Sequence, residues 1–136
     1  MRVLALDYGS ASCGCAVSDP SGTIATPIDP VAMPGTRAGV RRIARLVQEM
    51  GAEVVLVGLP ISLGGGDSAQ TGEVRDFARR LEEAMGRGAD VRLYDERFTT
   101  KLAQAAGGTT SEDSRAAAVL LEEWLDTNGP RAGGGR

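Results

Sequence analysis

Three carboxylates are the strongest candidates for chemistry in this sequence. Asp7 closes the apolar run Val3–Leu6, Glu96 sits in Asp95-Glu96-Arg97 directly after Val91–Tyr94, and Asp113 follows Thr109-Thr110-Ser111-Glu112. Carboxylates gathered in one place repel, and one or more is pushed toward protonation unless a cation relieves them. An oxygen-only donor set favours Mg²⁺ or Mn²⁺ over zinc or copper. Two such ions roughly 3.5–4 Å apart can activate a water and stabilise the leaving oxygen in phosphodiester cleavage. The chain has no histidine and two cysteines, Cys13 and Cys15, so a Cys/His zinc site is excluded. Taken singly, each acid also has a structural reading. Asp7 can end a strand, Asp95-Glu96-Arg97 can be a surface charge run, and Asp113 can complement a helix dipole for about 0.3–1 kcal/mol. Spacing does not decide between these readings.

Phosphodiester chemistry of this kind would also need cations for its substrate. Candidates are Arg97, Lys101 and Arg115 near the acids, and Arg75, Arg79 and Arg80 on a helical segment, with Arg37 to Arg45 on another face. The alternative for any helix arginine is a solvated side chain, and for Arg97 a salt bridge to Asp95. The Gly64-Gly65-Gly66 loop could approach a phosphate closely, although no Gly-Lys-Ser/Thr follows it. A net charge of -3 argues against a uniformly basic coat. An aromatic content of 4% argues against broad base-stacking platforms.

The elements that must position these residues are legible in the pattern. Val3–Leu6, Cys13–Val17 and Thr23–Ile28 read as three strands, the last two separated by the turn signal Ser18-Asp19-Pro20-Ser21-Gly22. So tightly joined, they form an antiparallel meander. Val40, Ile43, Ala44, Val47 and Met50 then recur with helical period, stopped at Gly51. Val54–Val57 reads as a strand buried on both faces. Val74, Phe77, Ala78, Leu81 and Met85 mark a second amphipathic helix ending near Gly86, and Val91–Tyr94 a fifth strand. A short helix is expected over Thr99–Ala105, and a capping box at Thr109–Glu112 opens a helix to about Asp126.

Right-handed crossovers then bring strands four and five beside strand one, giving a five-stranded mixed sheet of order 3-2-1-4-5. Asp7 and Glu96 fall at the carboxyl edge, where ligands gather in such sheets, and the last helix can bring Asp113 to them. Residues 1–126 read as one α/β domain and 127–136 as a Gly-rich disordered tail. Cys13 and Cys15, at i, i+2, read as reduced core residues. The early aspartate argues against a signal peptide, no stretch approaches a membrane span, and the expected location is cytoplasmic.

Leu6-Asp7-Tyr8-Gly9-Ser10, Gly14-Cys15-Ala16-Val17-Ser18-Asp19-Pro20, Val57-Gly58-Leu59-Pro60, Asp95-Glu96-Arg97-Phe98-Thr99-Thr100 and Asp113-Ser114-Arg115-Ala116-Ala117 together resemble the YqgF/RuvX family, in order from about Met1 to Asp126. The resemblance implies a ribonuclease H-like fold related to the resolvase RuvC. It implies a nuclease implicated in maturing the 5′ end of pre-16S rRNA in ribosome biogenesis, with Holliday junctions or other structured DNA or RNA as further substrates. It places the catalytic, metal-holding trio on Asp7, Glu96 and Asp113, with two Mg²⁺ or Mn²⁺ ions, and Arg97 on or beside the scissile phosphate. Arg97, Lys101, Arg115 and Arg75 are the expected nucleic-acid contacts of a monomer or homodimer.

The sequence departs from the family at Ala11 and Ser12, where members often carry basic residues. It departs again in a short loop, Gly107 to Glu112, with no basic residue between Lys101 and Arg115. A non-catalytic RNA-binding module of the same fold is an alternative reading. A second is an ATP-binding fragment of actin-like type, since Asp7-Tyr8-Gly9-Ser10 resembles that phosphate loop.

Overall fold

The computed structural model describes residues 1–60, 69–95 and 112–128, the side chains of Glu112 and Asp113 excepted. The strands are β1 (Val3–Asp7), β2 (Ser12–Ser18), β3 (Ala25–Ala32), β4 (Val54–Leu59) and β5 (Asp90–Asp95). The helices are α1 (Arg37–Met50), α2 (Ala69–Met85) and α3 (Glu112–Asn128). The sheet order is β3-β2-β1-β4-β5, with β1 antiparallel to β2 and parallel to β4, and β4 parallel to β5. This is the expected mixed sheet. The Gly64–Gly66 loop, the expected Thr99–Ala105 helix, Thr109–Ser111 of the capping box and residues 129–136 lie outside the described residues.

The central strands are apolar over Val3–Leu6 and Val54–Val57 because both of their faces are covered. Leu4, Leu6, Val55 and Val57 pack against Val40, Ile43 and Val47 of α1 and Val74, Phe77 and Leu81 of α2. Val3, Ala5, Val54 and Leu56 pack on the other face against Ala117, Leu120, Leu121, Trp124 and Leu125 of α3. Cys13 and Cys15 are buried on the α1–α2 face and are not disulfide-bonded.

Local chemistry sets the element ends. Thr36 caps α1 by accepting from the Gly39 amide at 3.0 Å, and its hydroxyl donates to the Met33 carbonyl at 2.8 Å. Gly51 ends the helix at φ 65, where a side chain would be strained. Arg2 ties that end to the sheet: its Nε donates to Ser18 O at 2.9 Å and its Nη1 to Met50 O at 3.2 Å.

Two boundaries differ from the sequence pattern. β3 starts at Ala25 rather than Thr23, because the amides of Thr23 and Ile24 are held by the Asp19 carboxylate, both at 2.7 Å. It continues past Ile28 to Ala32 through a bulge: Cys13 pairs with Val31 and Cys15 with Ile28, so Asp29 and Pro30 together oppose Gly14. A bulge on an edge strand accommodates a proline that a regular ladder would reject. At the other end, α3 includes Thr127 and Asn128, two residues assigned to the tail from composition.

Candidate active site

Because β1, β4 and β5 are parallel, their carboxyl ends share one edge. Leu6 pairs with Val57 and Gly58 with Tyr94, which puts Asp7 in one row with Gly58 and Tyr94. On its other side Asp7 pairs with Gly14. Residues of one row point to the same face, and the alternation from Val3 and Ala5 turns Asp7 toward α3. Both strand neighbours of this half-buried carboxylate are therefore glycine. Neither neighbour places a Cβ beside it.

The first turn of α3 is fixed close by. Ser114 is fully buried, and its hydroxyl accepts from the Cys15 amide at 3.3 Å and donates to the Ile28 carbonyl at 2.6 Å. Those two backbone groups belong to the register pair that closes the β3 bulge. The hydroxyl thus occupies the gap the bulge opens and satisfies both groups. Cys15 pairs with Leu6, so the anchor lies one strand and one register position from Asp7. From there α3 crosses to β5, where the Arg92 guanidinium lies over the Trp124 ring, 5.8 Å from its centroid. Burial raises the Tyr94 phenol above its ordinary range, and the neighbouring Glu123 carboxylate adds to the shift.

The turn after β1 is clamped from the opposite face. The Tyr8 ring packs on Phe77 with centroids 4.7 Å apart. Burial first, and then a hydrogen bond to Glu73, push its phenol up to about 12. A Cβ on Gly35 would meet the Tyr8 hydroxyl at 2.5 Å, and Arg80 Nη1 donates to the Gly35 carbonyl at 2.7 Å. The strand end carrying Asp7 is held by α2 and by the segment entering α1.

The sequence-derived candidates fare differently. Asp7 stands at the carboxyl edge, and Asp95 ends β5 at the same edge. Glu96, Arg97 and Lys101 lie outside the described residues, and Asp113 is described only as a backbone position in the first turn of α3. Arg75 is exposed on α2 and Arg115 half-buried on α3. Arg79 forms ion pairs with Asp76 at 2.8 Å and Glu83 at 2.5 Å, which gives it a structural role. Among the described residues, no three His, Cys, Asp or Glu side chains gather as a metal site. Sequence reasoning passed over Ser114, Gly14 and Gly58 as site-builders. A serine fully buried in a helix, and glycines inside strands, were the available signals.

Comparison with known proteins decides the family. The RuvX family model, described as Holliday junction resolvase, matches residues 1–127. The chain belongs to the RuvX family. A RuvX relative from Clavibacter michiganensis, named "Putative pre-16S rRNA nuclease", is 40% identical over 91% of this chain and 82% of its own length. One of the same name from Mycobacteroides abscessus is 38% identical over 92% and 81%. Among solved structures, Thermus thermophilus RuvC in complex with a Holliday junction substrate superposes with a TM-score of 0.63 at 17% identity, covering 93% of this chain and 95% of that one. The fowlpox virus Holliday junction resolvase gives 0.56 at 12% identity, covering 93% and 99%. At these identities the structural likeness concerns the fold, which is of the RuvC, ribonuclease H-like type.

Proposed function

We propose that this RuvX protein is a divalent-metal-dependent nuclease that hydrolyses phosphodiester bonds in structured RNA, with the 5′ end of pre-16S rRNA as its cytoplasmic substrate. The observation that carries the reading is Asp7, presented at the carboxyl edge between Gly14 and Gly58 on the face that α3 covers. A purely structural aspartate has no need of two bare flanks.

Glu96 and Asp113 complete the proposed site. Arg92 and Tyr94 face α3, and Glu96 follows in sequence directly after Asp95, the residue that ends β5. Asp113 adjoins Ser114, whose hydroxyl is fixed one register position from Asp7. The donor chemistry fits a hard cation, since the chain offers no histidine and both cysteines are buried on the other face. Asp7, Glu96 and Asp113 would hold Mg²⁺ or Mn²⁺. When bound, such ions supply water activation and stabilisation of the leaving oxygen. Asp7 contributes a carboxylate whose position is set by β1 and by the Tyr8 clamp. Arg97 is assigned to the scissile or adjacent phosphate, with Lys101, Arg115 and Arg75 as flanking phosphate contacts.

The names of the relatives support ribosomal RNA as substrate, whereas the description of the family model favours a second reading, cleavage of Holliday junctions. A cleavage panel of pre-16S rRNA fragments, single-stranded RNA and DNA, and a four-way junction, run with Mg²⁺ and with Mn²⁺, separates them. Preferential cut of the rRNA precursor is expected. Cleavage of the junction alone would replace the first reading with the second.

A further inference from the structure

The two helices of the back layer treat their arginines differently. On α2, Arg79 pairs with Asp76 and Glu83, and Arg80 reaches the Gly35 carbonyl. On α1, Arg37, Arg41, Arg42 and Arg45 are all exposed, and among the described residues none forms an ion pair or hydrogen bond. The only acid on that helix is Glu49, in a chain whose net charge is -3. Positive charge is therefore concentrated here against the overall balance.

Arg37, Arg41 and Arg45 repeat at i, i+4, i+8 and form one stripe about 12 Å long, from a rise of about 1.5 Å per residue. Arg42, three positions before Arg45, lies beside the stripe. The stripe begins at the active edge, since α1 starts beside Tyr8 and Gly35, and it runs toward the end tied to Arg2. Along its far half lies a cavity of about 670 Å³ between α1 and α2. Ala44, Val47, Ala52 and Met85 line it, Arg41 and Arg45 stand at its rim, and Glu53 is the one carboxylate among its lining residues.

We infer that the Arg37–Arg41–Arg45 stripe is a docking surface for the phosphodiester backbone of the polynucleotide substrate, which passes over the carboxyl edge and continues along the back of the sheet. Unpaired guanidinium groups in a row attract a polyanion by counterion release, without reading sequence. Each strand of a duplex presents one charge per about 3.4 Å of axis, so the stripe spans about three to four phosphates of one strand. This surface would supply the affinity that Ala11, Ser12 and the short loop before α3 do not. The inference rests on the nuclease reading for its substrate, and the following experiment separates the two.

Fluorescence anisotropy with a labelled RNA hairpin in EDTA measures binding across a salt series, for the natural chain, Arg41→Gln/Arg45→Gln and the control Arg42→Gln. Both substituted positions of the double variant are exposed, and thermal melting verifies its fold. The double variant should bind several-fold more weakly, with its log K against log salt slope reduced by about 1.4–1.8, from about 0.7–0.9 per lost phosphate contact. Arg42→Gln, beside the stripe, should weaken binding less than the double variant, with a slope change of no more than one contact, about 0.7–0.9. Equal affinity and slope in the double variant would overturn the docking surface and leave the nuclease reading standing. Weakened binding together with absence of cleavage by the natural chain would do the reverse. If a free mononucleotide binds tightly and only the double variant loses it, the surface belongs to a small ligand and the polynucleotide proposal fails.

Discussion

The Ser114 hydroxyl bridges the Cys15 amide and the Ile28 carbonyl from 99 residues away in sequence from Cys15, filling a bulge that the Asp29-Pro30 step opens in β3. Through this one side chain, the start of α3 is registered against the strand that pairs with Asp7. Ser114→Ala should lower stability by about 1–3 kcal/mol, because a buried amide loses its acceptor. Chemical denaturation measures this directly. A change within about 0.5 kcal/mol, the range of an ordinary surface substitution, would mean the bulge is satisfied some other way.

The bare flanks of Asp7 give a prediction on activity. Gly58→Ala places a methyl group in the Asp7 row without breaking the β4 ladder. It should reduce cleavage by about a hundredfold, the order expected for a displacement of about 1 Å at a reacting centre. The variant should still unfold cooperatively. Undiminished turnover would show that the space beside the carboxylate is not used.

Tyr8 makes the protein sensitive to alkali. Its phenol titrates near 10.0 when unfolded and at about 12 when folded, chiefly through burial. The folded state therefore holds the proton more tightly. The stability this provides is complete below about pH 10 and is lost as the pH rises toward 12. Denaturation midpoints measured across that window should fall more steeply for the natural chain than for Tyr8→Phe.

Asp19 acts at the opposite end of the scale. The Ser21 hydroxyl first, and then the amides of Ile24 and Thr23, hold its carboxylate well below the usual range. Its contribution is present above its ordinary value of 3.8 and is lost as the pH falls below it. Asp19→Ala should lower the melting temperature at neutral pH and flatten its decline in acid. Because the turn fixes where β3 begins, hydrogen exchange at Thr23 and Ile24 should accelerate in the same variant.

Much of this architecture was legible in sequence because hydrophobic period and turn chemistry are local properties. Val54–Val57 reads as doubly buried, and it is covered by α1 and α2 on one face and α3 on the other. Gly51 reads as a helix stop and takes positive φ. Asp7 stands out as a candidate because an acid ending an apolar run is conspicuous. The β3 bulge was not legible, since Asp29-Pro30 looks like a strand end until a partner from α3 supplies the missing hydrogen bonds. The roles of Gly14 and Gly58 were hidden for a similar reason: they depend on register across three strands, which no local window contains. Arg79 and Arg80, which the sequence offers either as cation candidates or as solvated side chains, are engaged by Asp76, Glu83 and the Gly35 carbonyl, through pairings that only the folded helix defines.

The central claim is that Asp7 holds the metal that drives phosphodiester cleavage. The direct measurement is the cleavage rate of a pre-16S rRNA fragment by the natural chain and by Asp7→Asn, in Mg²⁺, Mn²⁺ and EDTA, with melting curves as a control on folding. Cleavage should require the divalent ion and fall by at least about a thousandfold in Asp7→Asn, corresponding to several kcal/mol of lost transition-state stabilisation, while the fold stays intact. Full activity in Asp7→Asn, or in EDTA, would contradict it.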